Sequence, residues 1–262
     1  RRARRVPAGE ARGRLPAGLP LPLGGLERRA RARGIAPRLA RLGDKTPVLG
    51  AQPGIGPGPR IGARRDAFNL CVVALLQAHP GFALGHFFRG YSLMTDGVTS
   101  SDTKAATYLQ MAQKAGGTER ERLHQEALRA WLAHDPQARG FAFEQILANW
   151  PLDLLAFRQH TGTLFWMGNK RHQAQIASSA ASQWGADVPG YPLFLSAYAF
   201  AMEEVGHYPE AERAARAALE YHAEDLWALH ALTHVLEMQG RRREGVVLLD
   251  EAAKFLKDYN LF

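Results

Sequence analysis

The stretches YAFAMEEVGHYPEAE (198–212) and LTHVLEMQGRRREGV (232–246) carry one pattern at a spacing of 34 residues. In each, an apolar run of helical period ends at a glycine, Gly206 or Gly240, and a second helical run follows it. Self-similarity at a fixed period indicates stacked copies of one supersecondary unit. Each unit is predicted to be a helix hairpin, in which small residues let the two helices approach and larger ones fill the gap to the next hairpin.

The spacing of 34 residues is the period of tetratricopeptide repeats (TPRs). Similar helical runs extend upstream to Asp66, and Gly168 takes the turn position 38 residues before Gly206, which predicts an insertion near residues 184–192. No alternating strand pattern competes with the helical one. We therefore expect an all-α, tetratricopeptide-type solenoid of four to five hairpins over residues 66–262.

Residues 1–65 differ sharply from the rest of the chain. They hold 16 basic and 3 acidic residues, a net charge of +13, whereas residues 66–262 have a net charge of −5. They contain no Phe, Trp or Tyr and are rich in Arg, Gly and Pro, so they are expected to be a disordered basic segment, not necessarily native to the domain. Without aromatic side chains to stack on bases, they do not favour a nucleic-acid partner.

The repeat array is expected to be truncated. Residues 66–79 have the pattern of the second helix of a hairpin, but the Gly- and Pro-rich residues 50–59 prevent a first helix before them. The single cysteine, Cys71, excludes an intramolecular disulfide framework and favours the cytoplasm. It lies in an apolar run and is predicted to be a small core residue. No apolar run is long enough to span a membrane.

Four stretches resemble the tetratricopeptide repeat protein 38 family. They are residues 81–86, residues 154–168 with Ala156, Phe157 and His160, residues 198–212, and residues 227–240 with Trp227, His230, His234, Glu237 and Met238. The resemblance covers about 66–262 and implies an α-helical repeat protein without a particular biochemical activity. Members of that family continue beyond the position of Phe262, so the resemblance also implies a fragment.

No catalytic motif and no cofactor-binding motif is found, so we expect no cofactor and leave open whether the chain is an enzyme. The candidate metal ligands are His230, His234 and Glu237, which share one face of a helix. Ala231 stands where a zincin motif would have its glutamate. We expect both imidazoles to face the interior or groove of the array, and this chain to hold no tight metal.

The predicted function is a scaffold whose stacked hairpins bind a protein or peptide partner in a groove. The candidate groove-lining residues are His160, Tyr198, Met202, Trp227, His230 and His234. Two alternatives stay open: a metal-binding protein or enzyme with a histidine-lined site in the groove, and a nucleic-acid binder acting through residues 1–65.

Overall fold

The computed structural model describes residues 63–95 and 101–256, all of which belong to one compact unit. Their regular structure is entirely helical, without a β-strand in these two ranges. In chain order the helices are α1 Ala63–Ala78, α2 Ala83–Thr95, α3 Ser101–Ala115, α4 Glu119–Leu132, α5 Pro136–Asn149, α6 Leu154–Trp166, α7 Lys170–Ala181, α8 Tyr191–Glu203, α9 Tyr208–Tyr221, α10 Leu226–Met238 and α11 Arg242–Leu256. The predicted basic segment lies outside the described residues as far as residue 62.

Helices α2 to α11 form five hairpins, each made of two consecutive helices. The second helix of each hairpin also packs on the first helix of the next, and first helices contact one another, as α8 does with α6 and α10. Each hairpin therefore buries its apolar side only by stacking on its neighbours. The prediction of an all-α, tetratricopeptide-type solenoid is confirmed.

The four described turns inside the hairpins repeat one backbone conformation. Gly168, Gly206 and Gly240 have φ angles of +70°, +79° and +72°, which favour glycine because it has no Cβ. Each glycine amide donates to a carbonyl three residues earlier, and the next amide donates to a carbonyl five residues earlier, which closes the helix end. His134, with a φ of +55°, makes the same pair of bonds between α4 and α5. The sequence search missed this turn because its residue is not glycine.

The longest described connection separates α7 from α8 and covers residues 182–190, in agreement with the predicted insertion. One large side chain of this connection lies in the core. Trp184 is buried and stacks on Phe194, with ring centroids 4.9 Å apart and an interplanar angle of 2°. The extra residues therefore lengthen the loop without interrupting the packing of the repeats.

Small residues set the distances between helices. A Cβ atom built on Gly90 would lie 2.5 Å from Cδ2 of Leu128, so glycine allows α2 to approach α4 closely. In α9, four completely buried alanines face its neighbours: Ala211, Ala214, Ala215 and Ala218. Gly97 follows the apolar helical run of residues 82–96, which predicts that it forms the turn of the first hairpin, but it lies outside the described residues.

The two end helices of the array expose apolar side chains. Leu70 and Leu75 of α1 are exposed, as are Val246 and Val247 of α11. Cys71 is exposed too, so its prediction as a core residue is wrong. The reason is its position: among the described helices α1 packs on α2, and Cys71 lies on a face that none of these helices covers. No helix in the described part of the chain is both long and apolar enough to cross a membrane.

Candidate functional site

An open cavity of about 590 Å³, here called the inner cavity, lies between the first helices of successive hairpins, with contributions from the second helices α5 and α7. Its principal lining side chains come from α2, α4, α5, α6, α8 and α10. They are Met94, Trp131, Arg139, Arg158, Phe165, Trp166, Phe200 and Trp227. Ligand pockets in proteins commonly have volumes of about 300–1,000 Å³ and the same combination of apolar walls with a few polar groups.

Aromatic side chains form most of the apolar wall. Trp166 is 82% exposed and packs edge-on against Phe165, with ring centroids 5.3 Å apart. Phe200 contacts both Phe165, at 5.1 Å, and the half-exposed Trp227, at 5.5 Å between centroids. Large aromatic side chains left open to solvent are the residue type that most often anchors a binding partner.

Two arginines bring positive charge to the cavity. The guanidinium carbon of Arg139 lies 4.2 Å from the ring centroid of Trp131, and that of Arg158 lies 5.6 Å from the centroid of Trp227. Burial lowers the pKa of both groups, opposed by Tyr91 at Arg139 and by the charge of Asp225 at Arg158. Both nevertheless stay cationic, because arginine does not lose its proton in proteins.

Arg139 is the more isolated of the two. Its residue is 9% exposed, and its Nε atom is buried without a hydrogen-bond partner. Within the described residues it forms no ion pair closer than 4 Å, and none of the described side chains that line the cavity is acidic. The inner cavity therefore holds a partly buried cation that has no counter-charge among the described residues.

The predicted groove-lining residues lie in three environments: the inner cavity, the core between helices, and the exposed surface. Trp227 lines the inner cavity. Tyr198 and Met202 lie instead in the core, where Tyr198 contacts Phe194 and the Met202 sulfur lies 4.0 Å from the Ser178 hydroxyl. Nearly every residue of α8 is buried. These two side chains are therefore part of the packing between α8 and its neighbouring helices and do not line the inner cavity.

The predicted metal candidates His230, His234 and Glu237 do not come together as three ligands. The two imidazoles stack at the surface with centroids 4.4 Å apart, and Nδ1 of His234 lies 3.5 Å from Oε1 of Glu203. Glu237 instead pairs with Arg242, its Oε1 3.3 Å from Nε. A shared helix face does not bring positions i and i+7 together, because they are about 10 Å apart along the axis.

A different group of potential ligands forms around His160. Glu144 of α5, His160 of α6 and His172 of α7 place one ligand atom each within 4.8 Å of one another. The Nε2 atoms of both histidines lie 3.4 Å from the same Oε1 of Glu144. His160 is 0% exposed, and neither of its ring nitrogens has a hydrogen-bond partner. Burial, then the charges of His172 and Arg139, lower its pKa to about 4.

His124 of α4 is also completely buried, but its surroundings are different. Its Nδ1 lies 3.1 Å from the hydroxyl of Tyr91, and its Nε2 lies 3.0 Å from Oδ2 of Asp153. That carboxylate also accepts from Nε of Arg120 at 2.7 Å and from the amide of Ala156 at 2.8 Å, which caps α6. This network therefore joins α2, α4 and α6.

Sequence reasoning missed Arg139, Arg158, Glu144 and His172. The only available signal was Arg158, which interrupts the apolar run LLAFRQHTGTLFW of α6. The other three lie in α5 and α7, where no local motif distinguishes them. Their significance appears only when α5, α6 and α7 are packed together.

No protein-family model matches the chain. Among solved structures it is similar to MamA, from residue 41 to the end, of Desulfovibrio magneticus RS-1. That match has 13% identity, a TM-score of 0.46, and coverage of 66% of this chain and 94% of that one. YrrB, a TPR protein with an unusual peptide-binding site, matches at 11% identity and a TM-score of 0.45, covering 71% and 93%.

A Podosopora anserina kinesin light chain with nearly identical TPR-like repeats matches at 16% identity and a TM-score of 0.46, covering 68% and 96%. At these values the fold assignment depends on the helices and turns of this chain itself.

Proposed function

We propose that the chain is a scaffold that binds a short segment of a partner protein in the inner cavity. The segment would carry a carboxylate, which pairs with Arg139 and Arg158, beside a large apolar side chain, which packs against the aromatic wall. The observation that carries the proposal is the Nε atom of Arg139, which is buried without a hydrogen-bond partner in a cavity with aromatic walls.

The charge of the occupant follows from the cost of that guanidinium. A buried polar group without a partner costs about 1–3 kcal/mol, and a charged group costs more. A carboxylate that enters the cavity would supply the missing acceptor, and arginine–carboxylate bonds are among the stronger hydrogen bonds in proteins. Since none of the described lining side chains is acidic, no internal carboxylate competes for this position.

A peptide fits the cavity better than a compact metabolite because the lining residues follow the array. They belong to helices from five successive hairpins, from α2 to α10. Stacked repeats form extended surfaces of this kind, and an extended peptide meets several repeats at once. Trp166 and Trp227 are the predicted anchors for its apolar side chains.

The proposal can be tested with a phage-displayed library of random 12-residue peptides selected on the full chain. Selected peptides are expected to be enriched in Asp or Glu next to Leu or an aromatic residue. For the best peptide, labelled with fluorescein, Arg139→Met should weaken binding measured by fluorescence polarisation by about 10- to 100-fold, since a charged hydrogen bond contributes about 1.5–3 kcal/mol.

Arg129→Met is the matched control, because Arg129 is an exposed arginine two residues before Trp131 on α4. It should leave the affinity unchanged, whereas replacing the acidic residue of the peptide by Lys should abolish binding. Selection of basic peptides, or equal affinities for wild type and Arg139→Met, would contradict the proposal.

We also propose that the chain belongs to the tetratricopeptide repeat protein 38 family and acts in the cytoplasm. The support for the family is the set of residues from Trp227 to Met238, with its paired histidines. The support for the compartment is the single cysteine, which has no partner for an intramolecular disulfide. Secretion of the tagged full-length protein, measured by cell fractionation, would contradict the second point.

A further inference from the structure

The three side chains around His160 come from three consecutive helices that no local sequence motif connects. Glu144 lies in the second half of α5, His160 in the middle of α6 and His172 in the first turn of α7. Packing of the second hairpin against the third brings them together, since α5 contacts α6 and α6 contacts α7. We propose that Glu144, His160 and His172 bind a zinc ion.

The distances fit tetrahedral coordination. Zinc bonds of about 2.0–2.2 Å to nitrogen and oxygen place the ligand atoms of a tetrahedral site about 3.3–3.6 Å apart. The Nε2 atoms of His160 and His172 each lie 3.4 Å from Oε1 of Glu144, so two edges of the tetrahedron already have the required length. One ligand atom from each of the three residues lies within 4.8 Å of the others, so the two imidazoles would move closer together when an ion binds.

The same distances do not suit hydrogen bonds. A charged N–H···O bond has a length of about 2.7–2.9 Å, and the two contacts to Glu144 exceed it by at least 0.5 Å. The contact of His160 with Glu144 is therefore not a hydrogen bond. Both ring nitrogens of His160, Nδ1 and Nε2, lack a hydrogen-bond partner although the residue is 0% exposed. A lone pair on Nε2 that points to a cation explains a buried imidazole that lacks protein partners.

The protonation state also suits a metal ligand. Zinc binds neutral imidazole, and a histidine that is protonated must first lose its proton. His160 is completely buried, which disfavours its charged form because a charged group would lose its hydration there. Glu144 supplies one negative charge, and the charge of Arg139 opposes the binding of the cation.

Access to the site is open on one side. The side chains of Glu144 and His172 are 37% and 35% exposed, so an ion reaches them from solvent without unfolding of the core. Three protein ligands with an exposed side correspond to the class of zinc sites that keep a fourth position for water. The site does not overlap the inner cavity, because none of its three residues lines that cavity.

The test uses the metal-free full chain, titrated with zinc chloride in a calorimeter and with Co²⁺ in a visible absorption experiment. One zinc ion per chain is expected, and Co²⁺ should give the intense visible bands of tetrahedral coordination. His172→Ala and Glu144→Gln should each weaken zinc binding more than about 100-fold, since loss of even an outer partner of a ligand costs about 10- to 100-fold.

His234→Ala is the matched control. Like His172, His234 is a partly exposed helix residue close to a glutamate, with 3.5 Å between Nδ1 and Oε1 of Glu203. This variant should keep wild-type affinity. Because the substituted residues are partly exposed, the metal-free variants are expected to melt like wild type, which separates loss of a ligand from loss of the fold.

Two results would overturn the proposal. One is the absence of zinc binding by the wild-type chain at micromolar concentrations. The other is zinc binding that survives His172→Ala and Glu144→Gln, or that disappears in His234→Ala, because the ion would then occupy a different site.

Discussion

His124 in α4 and His160 in α6 are both 0% exposed, yet one of them is satisfied by the protein and the other is not. His124 has the Tyr91 hydroxyl 3.1 Å from one ring nitrogen and the Asp153 carboxylate 3.0 Å from the other. His160 has no hydrogen-bond partner on either nitrogen, and its nearest carboxylate oxygen lies 3.4 Å away.

The difference separates two uses of a buried polar residue in one fold. The His124 network connects three helices and contributes to the stability of the array, because each polar group in it has a partner. An unsatisfied histidine, in contrast, lowers stability unless something outside the chain binds to it. The same reasoning distinguishes Arg120, which pairs with Asp153, from Arg139, which has no counter-charge among the described residues.

The largest effect is expected from Asp153→Ala. The change leaves His124 buried without its carboxylate and removes the N-cap of α6, so the free energy of unfolding should fall by about 3–5 kcal/mol. Asp135→Ala is the control, because the exposed Asp135 caps α5 through the amides of Gln137 and Ala138 and forms no ion pair with a described residue within 4 Å. It should cost only about 1 kcal/mol. Urea denaturation followed by circular dichroism measures both values.

The effect of pH gives an independent check on Asp153. Burial works to raise the pKa of this carboxyl, but the hydrogen bond and charge of His124, the Ala156 amide and Arg120 together hold it below its ordinary value. The contribution of the network is therefore fully present above about pH 4 and is lost as the pH falls further. If Asp153→Ala and Asp135→Ala proved equally stable at pH 7, Asp153 would be no more than a helix cap.

A direct comparison of the two histidines is the next test. In metal-free protein at pH 7.5, His124→Leu should lower the free energy of unfolding by about 2 kcal/mol, because it leaves buried polar groups without a partner. His160→Leu should change it by less than about 1 kcal/mol, because no hydrogen bond is lost. Only the wild-type chain and His124→Leu should then be stabilised by added zinc.

The two leucine variants should also differ in acid. The pKa of His160 is about 4 in the folded chain and about 6.5 when unfolded, so the unfolded state binds more protons between these values. Stability should therefore decrease as the pH falls from 6.5 to 4, by up to about 1.4 kcal/mol per pH unit. This slope should be absent from His160→Leu; its persistence there would assign it to another group.

The sequence predicted the architecture well because each hairpin is determined by residues that lie close together in the chain. The turn glycines Gly168, Gly206 and Gly240 and the helical period between them define hairpins without any knowledge of tertiary contacts. The errors arose where the local signal was absent. His134 takes the same turn conformation without being glycine. Cys71 belongs to an apolar run, but nothing within that run indicates that its face of α1 is left uncovered by the other described helices.

The site was far less predictable. His160 was recognised as a candidate, but its neighbours Glu144 and His172 are 16 residues before it and 12 residues after it, on other helices. Their approach depends on how α5, α6 and α7 pack, which periodicity does not specify. Conversely, the spacing of His230, His234 and Glu237 indicated a shared face but not the competing contact of Glu237 with Arg242.

The smallest effect on stability is expected from Arg139→Met, and it extends the comparison from histidines to arginines. The substitution loses the contact of the guanidinium with Trp131, about 0.5–2 kcal/mol, but also removes a buried Nε without a partner, which costs about 1–3 kcal/mol. These terms oppose each other, so the free energy of unfolding should stay within about 1 kcal/mol of wild type.

Arg120→Met is the control for that measurement, because it removes an Nε that lies 2.7 Å from Oδ2 of Asp153 and should cost about 1.5–3 kcal/mol. Urea denaturation of the two variants measures the difference. If Arg139→Met proved as damaging as Arg120→Met, Arg139 would be a structural residue, and a loss of peptide binding in that variant would reflect loss of the fold. An unchanged stability together with lost binding assigns the guanidinium to the partner, because its favourable interactions are then made only in the complex.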